Sequence, residues 1–329
     1  MAIVLNETDV KAVLPMRDLI DAMEGALAKF SAGEIVQPVR SVLQVGPSKA
    51  FFGVMPAYQP APAALGAKLV TVFAGNTAHG LPTHLATIIL LDPDTGALAA
   101  LMDGRFITEA RTAAVSAVSV RHMARPEPPD GTTLAILGSG VQARSHLEAI
   151  ALVRRLKEIR VWSPTPVNRD RFARGMASHA PASIRAVSSA RAAVDGADII
   201  VLATASPTPV VERGWAADGA HICAVGACRP DVREMDGPLV AAGRLIVDSR
   251  AGALAEAGDL VLAIKEGCCG PDHIAGELGE VVSKRMPGRT SPREITIFKS
   301  LGMAVEDVAA AELAWRRAAE QGLGRAVLL

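Results

Sequence analysis

The chain has 329 residues and half of them are hydrophobic, which is enough for two domains with sizeable cores. Its 34 basic residues balance 34 acidic ones and aromatic residues make up 3%, so neither the positive surface nor the stacking platform of a nucleic-acid-binding protein is indicated. We therefore expect no nucleic-acid partner. Small molecules and further copies of the same chain are the expected partners.

The N-terminus lacks the basic and apolar segments of a signal peptide, and the longest apolar run, residues 85–91, is too short to span a membrane. We therefore expect no membrane partner and a cytoplasmic location. The four cysteines form no C-x-x-C pair and are expected to be reduced thiols; they are Cys223, Cys228, Cys268 and Cys269. The seven histidines lack metal-ligand spacing, so no metal is expected.

The first third of the chain reads as an α+β unit. Apolar residues recur at helical spacing from Pro15 to Phe30, which predicts an amphipathic helix. Short runs rich in β-branched and aromatic residues then predict strands at Val39–Val45, Phe51–Met55, Ala67–Phe73, Leu85–Leu91 and Ala97–Met102. Turn-forming residues 92–96 join the last two strands as a hairpin. A helix capped by Thr108 is predicted to run to about Ala124, and a Pro- and Gly-containing linker follows at 125–131.

From Thr132 the pattern changes to an alternation of apolar strands and helices. The predicted strands are Leu134–Leu137, Ile159–Trp162, Ile199–Leu202, His221–Val225 and Leu245–Val247. Such alternation is typical of a doubly wound α/β domain. The chain ends in an alanine-rich helix predicted from Gly302 to about Gln321. The predicted fold class is therefore α/β, with a Rossmann-type doubly wound domain joined to an α+β domain.

The segment Gly138-Ser-Gly140-Val-Gln-Ala143 follows a predicted strand, opens a helix and fits the dinucleotide-binding pattern G-x-G-x-x-A. Gly138 permits a tight turn, Gly140 lets the backbone approach a pyrophosphate, and Ala143 allows the helix to pack closely on the sheet. The N-terminus of the helix offers N–H groups and partial positive charge to the phosphates. A nicotinamide dinucleotide is the expected cofactor.

The end of the second strand of this domain bears on which dinucleotide binds. An NAD-specific site normally has Asp or Glu there, whereas this chain has Ser163-Pro164-Thr165, with Arg169 one turn later. We expect NADPH to be accepted at least as well as NADH, with Arg169 near the 2′-phosphate. The alternative is that Arg169 is a solvated charge on its helix.

Three cations of the first domain, Arg40, Lys68 and Arg111, lie in apolar or strand-like surroundings. A charge is rarely buried without a partner, so each of them faces either solvent or an anionic ligand. Together they favour a pocket for a substrate carboxylate. His84 begins a strand and, taken alone, also fits a structural role. Cys228 follows a strand at the carboxyl edge of the sheet, but no neighbouring base marks it as a nucleophile.

The chain resembles the ornithine cyclodeaminase/μ-crystallin family over essentially its whole length, and within it the μ-crystallin-like ketimine reductases. The resemblance is carried by Gly53-Val-Met-Pro-Ala-Tyr58, Lys68-Leu-Val-Thr71, Met102-Asp-Gly104, Ile107-Thr108, Arg111-Thr-Ala-Ala-Val-Ser-Ala117, Gly138-Ser-Gly-Val-Gln-Ala143, Gly226-Ala-Cys-Arg-Pro-Asp231, Val247-Asp-Ser249, Glu277-Leu-Gly-Glu280 and Phe298-Lys-Ser-Leu-Gly-Met-Ala-Val-Glu-Asp307.

The resemblance implies a substrate-binding and dimerisation domain at 1–118 with 303–329, a Rossmann dinucleotide-binding domain at 119–302, and a homodimer. It implies that Arg40, Lys68 and Arg111 bind the carboxylate and imine end of the substrate, with Lys68 and Arg111 as catalytic residues and with Met55 and Cys228 beside the substrate. The residues it implies near the cofactor are Thr83, His84, Arg111, Gly138, Gly140, Val141, Gln142, Ala143, Ser163, Thr165, Arg169, Thr204, Val225, Lys299 and Gly302.

One departure from the family pattern bears on the activity. Cyclodeaminases of this family resemble one another in an aspartate two residues after the position of Gly226, where this chain has Cys228. A neutral thiol does not replace a carboxylate that takes a proton from an amine. The resemblance therefore favours NAD(P)H-dependent reduction of a cyclic α-imino acid, Δ1-pyrroline-2-carboxylate or Δ1-piperideine-2-carboxylate, to L-proline or L-pipecolate. The alternatives are an open-chain imino-acid reductase or alanine-type dehydrogenase, ornithine cyclodeaminase, and a non-catalytic crystallin-like binding protein.

Overall fold

The computed structural model describes residues 2–46, 50–180 and 182–328. The chain divides into two compact units, which we call unit 1 (Met1–Arg111 with Met303–Leu329) and unit 2 (Thr112–Gly302). No helix in the described parts of the chain is long and apolar enough to cross a membrane.

The helices and strands are numbered in chain order. They are β1 (Ala2–Leu5), α1 (Glu7–Val13), α2 (Met16–Ser31), β2 (Ser41–Val45), β3 (Ala50–Pro60), β4 (Ala63–Val72), β5 (His84–Leu91), β6 (Leu98–Asp103), α3 (Arg105–Met123), β7 (Thr132–Leu137), α4 (Val141–Ala151), β8 (Leu156–Trp162), α5 (Pro166–Gly175), β9 (Ile184–Ala186), α6 (Ala190–Val194), β10 (Ile199–Leu202), β11 (His221–Ala224), α7 (Gly237–Ala242), β12 (Arg244–Val247), α8 (Arg250–Glu256), α9 (Gly258–Lys265), β13 (Ile274–Glu277), α10 (Leu278–Val282), β14 (Thr296–Lys299), α11 (Ala304–Gln321) and β15 (Arg325–Val327).

Unit 1 is built on a mixed seven-stranded sheet in the order β15-β1-β6-β5-β4-β3-β2. Neighbouring strands are antiparallel except for β1 and β6, which are parallel. Helix α2 buries one apolar face, including Leu19, Ile20, Met23 and Leu27. The C-terminal helix α11 packs against α2 and against β3, β4 and β5. This packing brings the first turn of α11 to the strand that carries Lys68.

Unit 2 is built on an eight-stranded parallel sheet in the order β13-β12-β14-β11-β10-β7-β8-β9. From β9 to β11 this is the 3-2-1-4-5 part of the 3-2-1-4-5-6 order of a doubly wound dinucleotide-binding fold, and the sixth position is taken by β14, which follows β12 and β13 in the chain. Every residue of β7, β10 and β11 is buried. Apolar clusters packed around the sheet include Ile200 and Ile222 in one cluster and Leu147 and Phe172 in another. The predicted fold class, an α/β protein with a Rossmann-type doubly wound part and an α+β part, is confirmed.

The strands and helices predicted from the sequence are present, with ends that differ by a few residues. One local prediction was wrong. Helix α3 begins at Arg105, three residues before Thr108, because the Asp103 carboxylate accepts the Phe106 N–H at 3.0 Å and so caps the first turn. The Thr108 hydroxyl instead donates to the carbonyl of Gly104 at 2.7 Å. The short strands β1, β9, β13, β14 and β15 were not predicted.

Candidate active site

Unit 1 contains a buried cluster of four charged side chains. Lys68 of β4 and Arg111 of α3 are 2% and 4% exposed, and Glu306 and Asp307 in the first turn of α11 are fully buried. The Lys68 Nζ lies 2.6 Å from Oδ2 of Asp307. The Arg111 guanidinium donates from Nε to Oδ1 of Asp307 at 3.0 Å and from Nη1 to Oε2 of Glu306 at 2.7 Å. Asp307 therefore joins both cations.

This arrangement sets the protonation of the cluster. Burial lowers the pKa of Lys68 to about 8, and the repulsion of Arg111 adds to that effect, while Asp307 opposes it. Burial on its own raises the pKa of Asp307, but the charges of Arg111 and Lys68 outweigh burial and hold that pKa below its usual value. The position of the carboxylates in the first turn of α11 also favours their charged form, because the helix N-terminus is partially positive. Lys68 is thus an ammonium group that loses its proton near pH 8.

The other predicted site residues of unit 1 are Met55, His84, Arg40 and Thr83. Met55 is buried and pairs with Lys68 across β3 and β4. Burial lowers the pKa of His84 to about 4, and the nearby charges of Lys68 and Arg111 add to the effect, so the imidazole is neutral at pH 7. Arg40 is half-buried and its charge contributes to the lowered pKa of Lys68. Thr83 is exposed, and its carbonyl accepts the N–H of Phe73 at 2.8 Å.

Unit 2 carries a cleft of about 780 Å³ at the carboxyl ends of its strands. Its lining residues come from the turn after β7, from the start of α4 and α5 and from the segment after β10: Gly138, Ser139, Gly140, Arg144, Trp162, Ser163, Pro164, Thr165, Asn168, Arg171, Ala203, Thr204, Ala205, Ser206, Pro207 and Val210. Of the predicted cofactor-binding residues, the cleft brings together Gly138, Gly140, Ser163, Thr165 and Thr204. It lies at the topological switch point between β7 and β10, where doubly wound sheets bind ligands.

The residues of the cleft fit a dinucleotide. Gly138 has a φ of +120°, and a Cβ there would overlap the carbonyl oxygen of Ala203. A Cβ on Gly140 would meet no described atom within 4 Å, which leaves space for a phosphate against the backbone. Helix α4 starts at Val141, and none of the described side chains caps its first turn. Its N-terminal N–H groups are thus directed at that space. Gln142 is half-buried and Ala143 is fully buried under the helix.

In doubly wound dinucleotide-binding folds, residues at the end of the second strand distinguish NAD from NADP, and in this chain that strand is β8. Ser163, Thr165 and Asn168 line this part of the cleft together with the guanidinium-bearing Arg171. No acidic residue is among the described residues that line the cleft. Arg169 is not a lining residue, and its Nη1 donates to the carbonyl of Ser163 over 3.4 Å. The cations at the cleft are therefore Arg144 and Arg171.

The remaining predicted residues lie at the carboxyl ends of β11 and β14. Val225 is buried, and its N–H donates to the carbonyl of Leu202 at 2.9 Å. The exposed Cys228 donates from Sγ to the Val225 carbonyl at 3.3 Å. Lys299 is buried and forms an ion pair with Asp259 at 3.1 Å. The Gly302 N–H donates to Asp248 at 2.7 Å.

Sequence reasoning missed the anionic partners of these cations, which are Glu306, Asp307 and Asp259. It also missed the buried Glu234, whose carboxylate accepts from Thr204 and Gly226. Two adjacent acids in an otherwise alanine-rich helix were the available signal for Glu306 and Asp307. A search of residues 2–46, 50–180 and 182–328 finds no group of three His, Cys, Asp or Glu side chains arranged to hold a metal ion.

Comparisons with known proteins agree with this geometry. The model of the ornithine cyclodeaminase/mu-crystallin family matches residues 1–322. The chain belongs to this family. Among its relatives is the ketimine reductase mu-crystallin of Rattus norvegicus, 45% identical over 300 residues that cover 90% of this chain and 91% of the relative. A Δ1-pyrroline-2-carboxylate reductase of Bacillus cereus is 33% identical over 326 residues, with 99% of both chains covered.

Solved structures of family members superpose closely on this chain. The Thermococcus litoralis Δ1-pyrroline-2-carboxylate reductase in complex with NADH and L-proline has a TM-score of 0.95 and 39% identity, and the match covers 99% of this chain and 100% of that one. An archaeal alanine dehydrogenase dimer with bound NAD has a TM-score of 0.93 and 29% identity, and the match covers 99% of both chains. These neighbours support a nicotinamide cofactor for this chain.

We predict that alanine substitutions at the two glycines of the cleft act differently. Gly138→Ala is expected to lower both thermal stability and NADPH affinity, because it combines a positive φ, worth about 1–3 kcal/mol of strain, with an overlap on Ala203. Gly140→Ala is expected to weaken NADPH binding about tenfold or more without loss of stability, because its Cβ occupies only the space for the phosphate.

Thermal unfolding and fluorescence titration with NADPH measure the two effects. Gly175→Ala at the end of α5 is the matched control, because its Cβ would also meet no described atom within 4 Å and the residue does not line the cleft. Unchanged NADPH affinity in Gly140→Ala would contradict the assignment of the cleft as the cofactor site.

Proposed function

We propose that this protein is an NAD(P)H-dependent ketimine reductase that converts a cyclic α-imino acid to the corresponding amino acid. Δ1-Pyrroline-2-carboxylate, giving L-proline, and Δ1-piperideine-2-carboxylate, giving L-pipecolate, are the proposed substrates. The observation that carries the proposal is the buried Lys68–Asp307–Arg111 cluster, which suits an anionic substrate that also needs a proton. The dinucleotide cleft of unit 2 and the names of the relatives support the same reaction.

In this proposal Arg111 and Arg40 bind the substrate carboxylate. A guanidinium has five N–H donors, and the bonds of Arg111 to Asp307 and Glu306 use two of them. Those two bonds also fix the orientation of the guanidinium before the substrate arrives, which lowers the entropy lost on binding. Met55 contributes an apolar wall beside Lys68. Cys228 is proposed as a further residue of the substrate site.

Lys68 is proposed to supply the proton that the ring nitrogen gains. Its pKa of about 8 keeps the ammonium group largely protonated at pH 7. The same pKa is low enough for the group to act as a general acid at that pH. Asp307, held anionic between Lys68 and Arg111, orients the ammonium group. Reduction of the C=N bond adds a hydride at C2 and a proton at nitrogen, and Lys68 accounts for the proton.

The nicotinamide cofactor, when bound, supplies the hydride. Gly138, Gly140 and the N-terminal N–H groups of α4 are proposed to hold its pyrophosphate. The further proposed cofactor-binding residues of unit 2 are Val141, Gln142, Ala143, Thr204, Val225, Lys299 and Gly302. Those of unit 1 are Thr83, His84 and Arg111. We assign the dinucleotide to the domain 119–302, and the substrate to the domain 1–118 with 303–329.

NADPH is the proposed preferred cofactor. The lining residues near β8 include Ser163, Thr165 and Arg171, and none of the described lining residues is an acid that would repel a 2′-phosphate. Arg144 adds a second cation to the cleft. The sequence suggested Arg169 near the 2′-phosphate. We propose Arg171 in its place, because Arg171 lies on the side of helix α5 that lines the cleft and Arg169 does not.

A homodimer formed through the first domain is also proposed. The edge strand β2 exposes a run of apolar side chains, including Val42, Leu43 and Val45. Exposed apolar surface on a sheet edge is typical of an association surface. The archaeal alanine dehydrogenase with a similar structure is a dimer. The cytoplasmic location expected from the sequence stays a prediction.

The test of the function is the oxidation of NADPH and NADH with three candidate substrates, Δ1-pyrroline-2-carboxylate, Δ1-piperideine-2-carboxylate and pyruvate with ammonia. A separate assay measures ammonia release from ornithine in the presence of NAD⁺. We expect rapid turnover of a cyclic imine only. Turnover of pyruvate with ammonia but not of a cyclic imine would assign an open-chain imino-acid reductase. Ammonia release from ornithine would assign a cyclodeaminase, and no turnover at all would favour a crystallin-like binding protein.

We predict that Lys68→Met lowers kcat/KM for the cyclic imine about 100-fold or more, because the proton donor is lost, while NADPH affinity is retained. In the unsubstituted protein kcat/KM is expected to fall as pH rises through about 8, since Lys68 then loses its proton. The residual activity of Lys68→Met should lack that fall. Lys265→Met, an exposed lysine at the end of α9, is the control. Near-normal activity of Lys68→Met would remove Lys68 from the mechanism.

We predict that Arg171→Ala raises the KM for NADPH about tenfold and leaves the KM for NADH nearly unchanged, because only NADPH carries the 2′-phosphate. Arg174→Ala, on the same helix but outside the lining of the cleft, is the matched control. Steady-state kinetics with both cofactors measure the effect. Equal loss with NADPH and NADH would show that Arg171 does not recognise the 2′-phosphate.

A further inference from the structure

Glu234 is a fully buried carboxylate that the sequence did not single out and that the proposed reaction does not use. Its Oε1 accepts hydrogen bonds from the N–H and the hydroxyl of Thr204, both at 2.7 Å. Its Oε2 accepts the N–H of Gly226 at 2.7 Å. Thr204 follows β10 and Gly226 follows β11, and these strands are neighbours in the sheet. One carboxylate therefore ties together the segments that leave two adjacent strands.

The network extends to a third strand. The N–H groups of Glu234 and Met235 donate to Oδ1 of Asp259 at 2.7 and 3.0 Å. The other oxygen of Asp259 lies 3.1 Å from the Nζ of Lys299 at the end of β14, which pairs with β11. Glu234, Asp259 and Lys299 thus connect the carboxyl ends of β10, β11 and β14.

These three strands define one half of the cofactor site. In a sheet of this order the dinucleotide crosses the switch point between β7 and β10. The β8 side, with Thr165 and Arg171, suits the adenosine end. The nicotinamide end then belongs to the side of β10 and β11. Thr204 lines the cleft and is also bonded to Glu234, so it connects the carboxylate directly to that half.

The close packing at Gly226 shows how little freedom these segments have. A Cβ at this position would overlap the carbonyl oxygen of Thr204 and would lie 2.5 Å from the Glu234 carboxylate. The segments after β10 and β11 therefore approach each other as closely as backbone atoms permit, and the carboxylate lies directly beside this contact. A change in its hydrogen bonding must move one segment or the other.

We propose that Glu234 is a positioning residue for the nicotinamide half of the cofactor: its carboxylate sets the spacing between the segments that begin at Thr204 and Gly226. This inference rests on the proposed use of a nicotinamide dinucleotide. The carboxylate accepts three hydrogen bonds and donates none. An amide at this position presents an NH₂ group to at least one of those donors and breaks that link.

The protonation of Glu234 gives the proposal a second readout. Burial raises the pKa of Glu234 to about 7, the repulsion of Asp259 adds to the rise, and Lys299 opposes it. Cys228 is a further titratable group in this region, since its charge acts on Lys299. Glu234 is therefore the charged acceptor above pH 7 and gains a proton below it. The spacing should be held less firmly on the acidic side.

The experiment compares NADPH with 2′-phospho-ADP-ribose, which carries the same 2′-phosphate and pyrophosphate and lacks the nicotinamide. Dissociation constants are measured by quenching of tryptophan fluorescence, for which Trp162 in the cleft is a reporter. We expect Glu234→Gln to weaken NADPH binding about tenfold and to leave 2′-phospho-ADP-ribose binding unchanged. Glu212→Gln, the same change at an exposed glutamate of unit 2, should alter neither.

The pH dependence is measured on the same two ligands at pH 6 and pH 8. Because the two ligands share both the 2′-phosphate and the pyrophosphate, the titration of these groups cancels in the ratio of the two affinities. We expect the ratio to favour NADPH more strongly at pH 8 than at pH 6 in the unsubstituted protein and to be flat in Glu234→Gln. If thermal unfolding shows that Glu234→Gln does not fold, the pH comparison in the unsubstituted protein decides alone.

Equal weakening of both ligands, or a pH dependence that persists in a folded Glu234→Gln variant, would overturn the positioning role. A flat ratio in the unsubstituted protein would overturn it as well. Because these are binding measurements, they can be separated from the test of the proposed reaction. If Glu234→Gln weakens only NADPH binding and the protein turns over no imine, the positioning role of Glu234 is supported and the substrate assignment is rejected. Failure of the unsubstituted protein to bind either nucleotide rejects both.

Discussion

The placement of Asp307 against two buried cations is the constraint on which unit 1 depends. Lys68 and Arg111 are too well buried to remain charged without a partner, and a lone buried charge costs several kcal/mol. Their partner lies in the first turn of α11, 196 residues after Arg111 and still further along the chain from Lys68. The C-terminal helix must therefore return to β4 and α3, which explains why residues 303–329 belong to the same compact unit as residues 1–111.

Buried carboxylates also organise unit 2, but there they bond mainly to the backbone at strand ends. Glu234 accepts N–H groups from the segments after β10 and β11. Asp248, after β12, accepts the N–H groups of Leu301 and Gly302 at 2.6 and 2.7 Å. Each carboxylate replaces hydrogen bonds that the parallel ladder no longer supplies beyond its last residue. The carboxyl edge of the sheet, where ligands bind in this fold, is thus fixed by side chains that need not touch the ligand.

Whether a feature could be predicted from the sequence depends on how far apart along the chain its interacting residues lie. The glycine fingerprint, the apolar strands and the amphipathic helix α2 are local patterns, and the structure confirms the elements they predict. Glu306 and Asp307 were missed because acids in a first helical turn are usually solvated, and only a contact with Lys68 and Arg111 gives them another role. The strands that were not predicted, β1, β9, β13, β14 and β15, have three or four residues, too few for a periodic pattern.

The distinction between local and long-range interactions also applies to the comparison with related structures. The dinucleotide cleft depends on a local turn and on backbone groups, which many sequences can provide. Solved neighbours with TM-scores of 0.92–0.95 and 29–39% identity are a Δ1-pyrroline-2-carboxylate reductase, an alanine dehydrogenase and an iminosuccinate reductase. Their backbones agree while their named substrates differ, so the fold does not select the substrate. Selection must therefore come from side chains such as Met55, which pairs with Lys68 across β3 and β4.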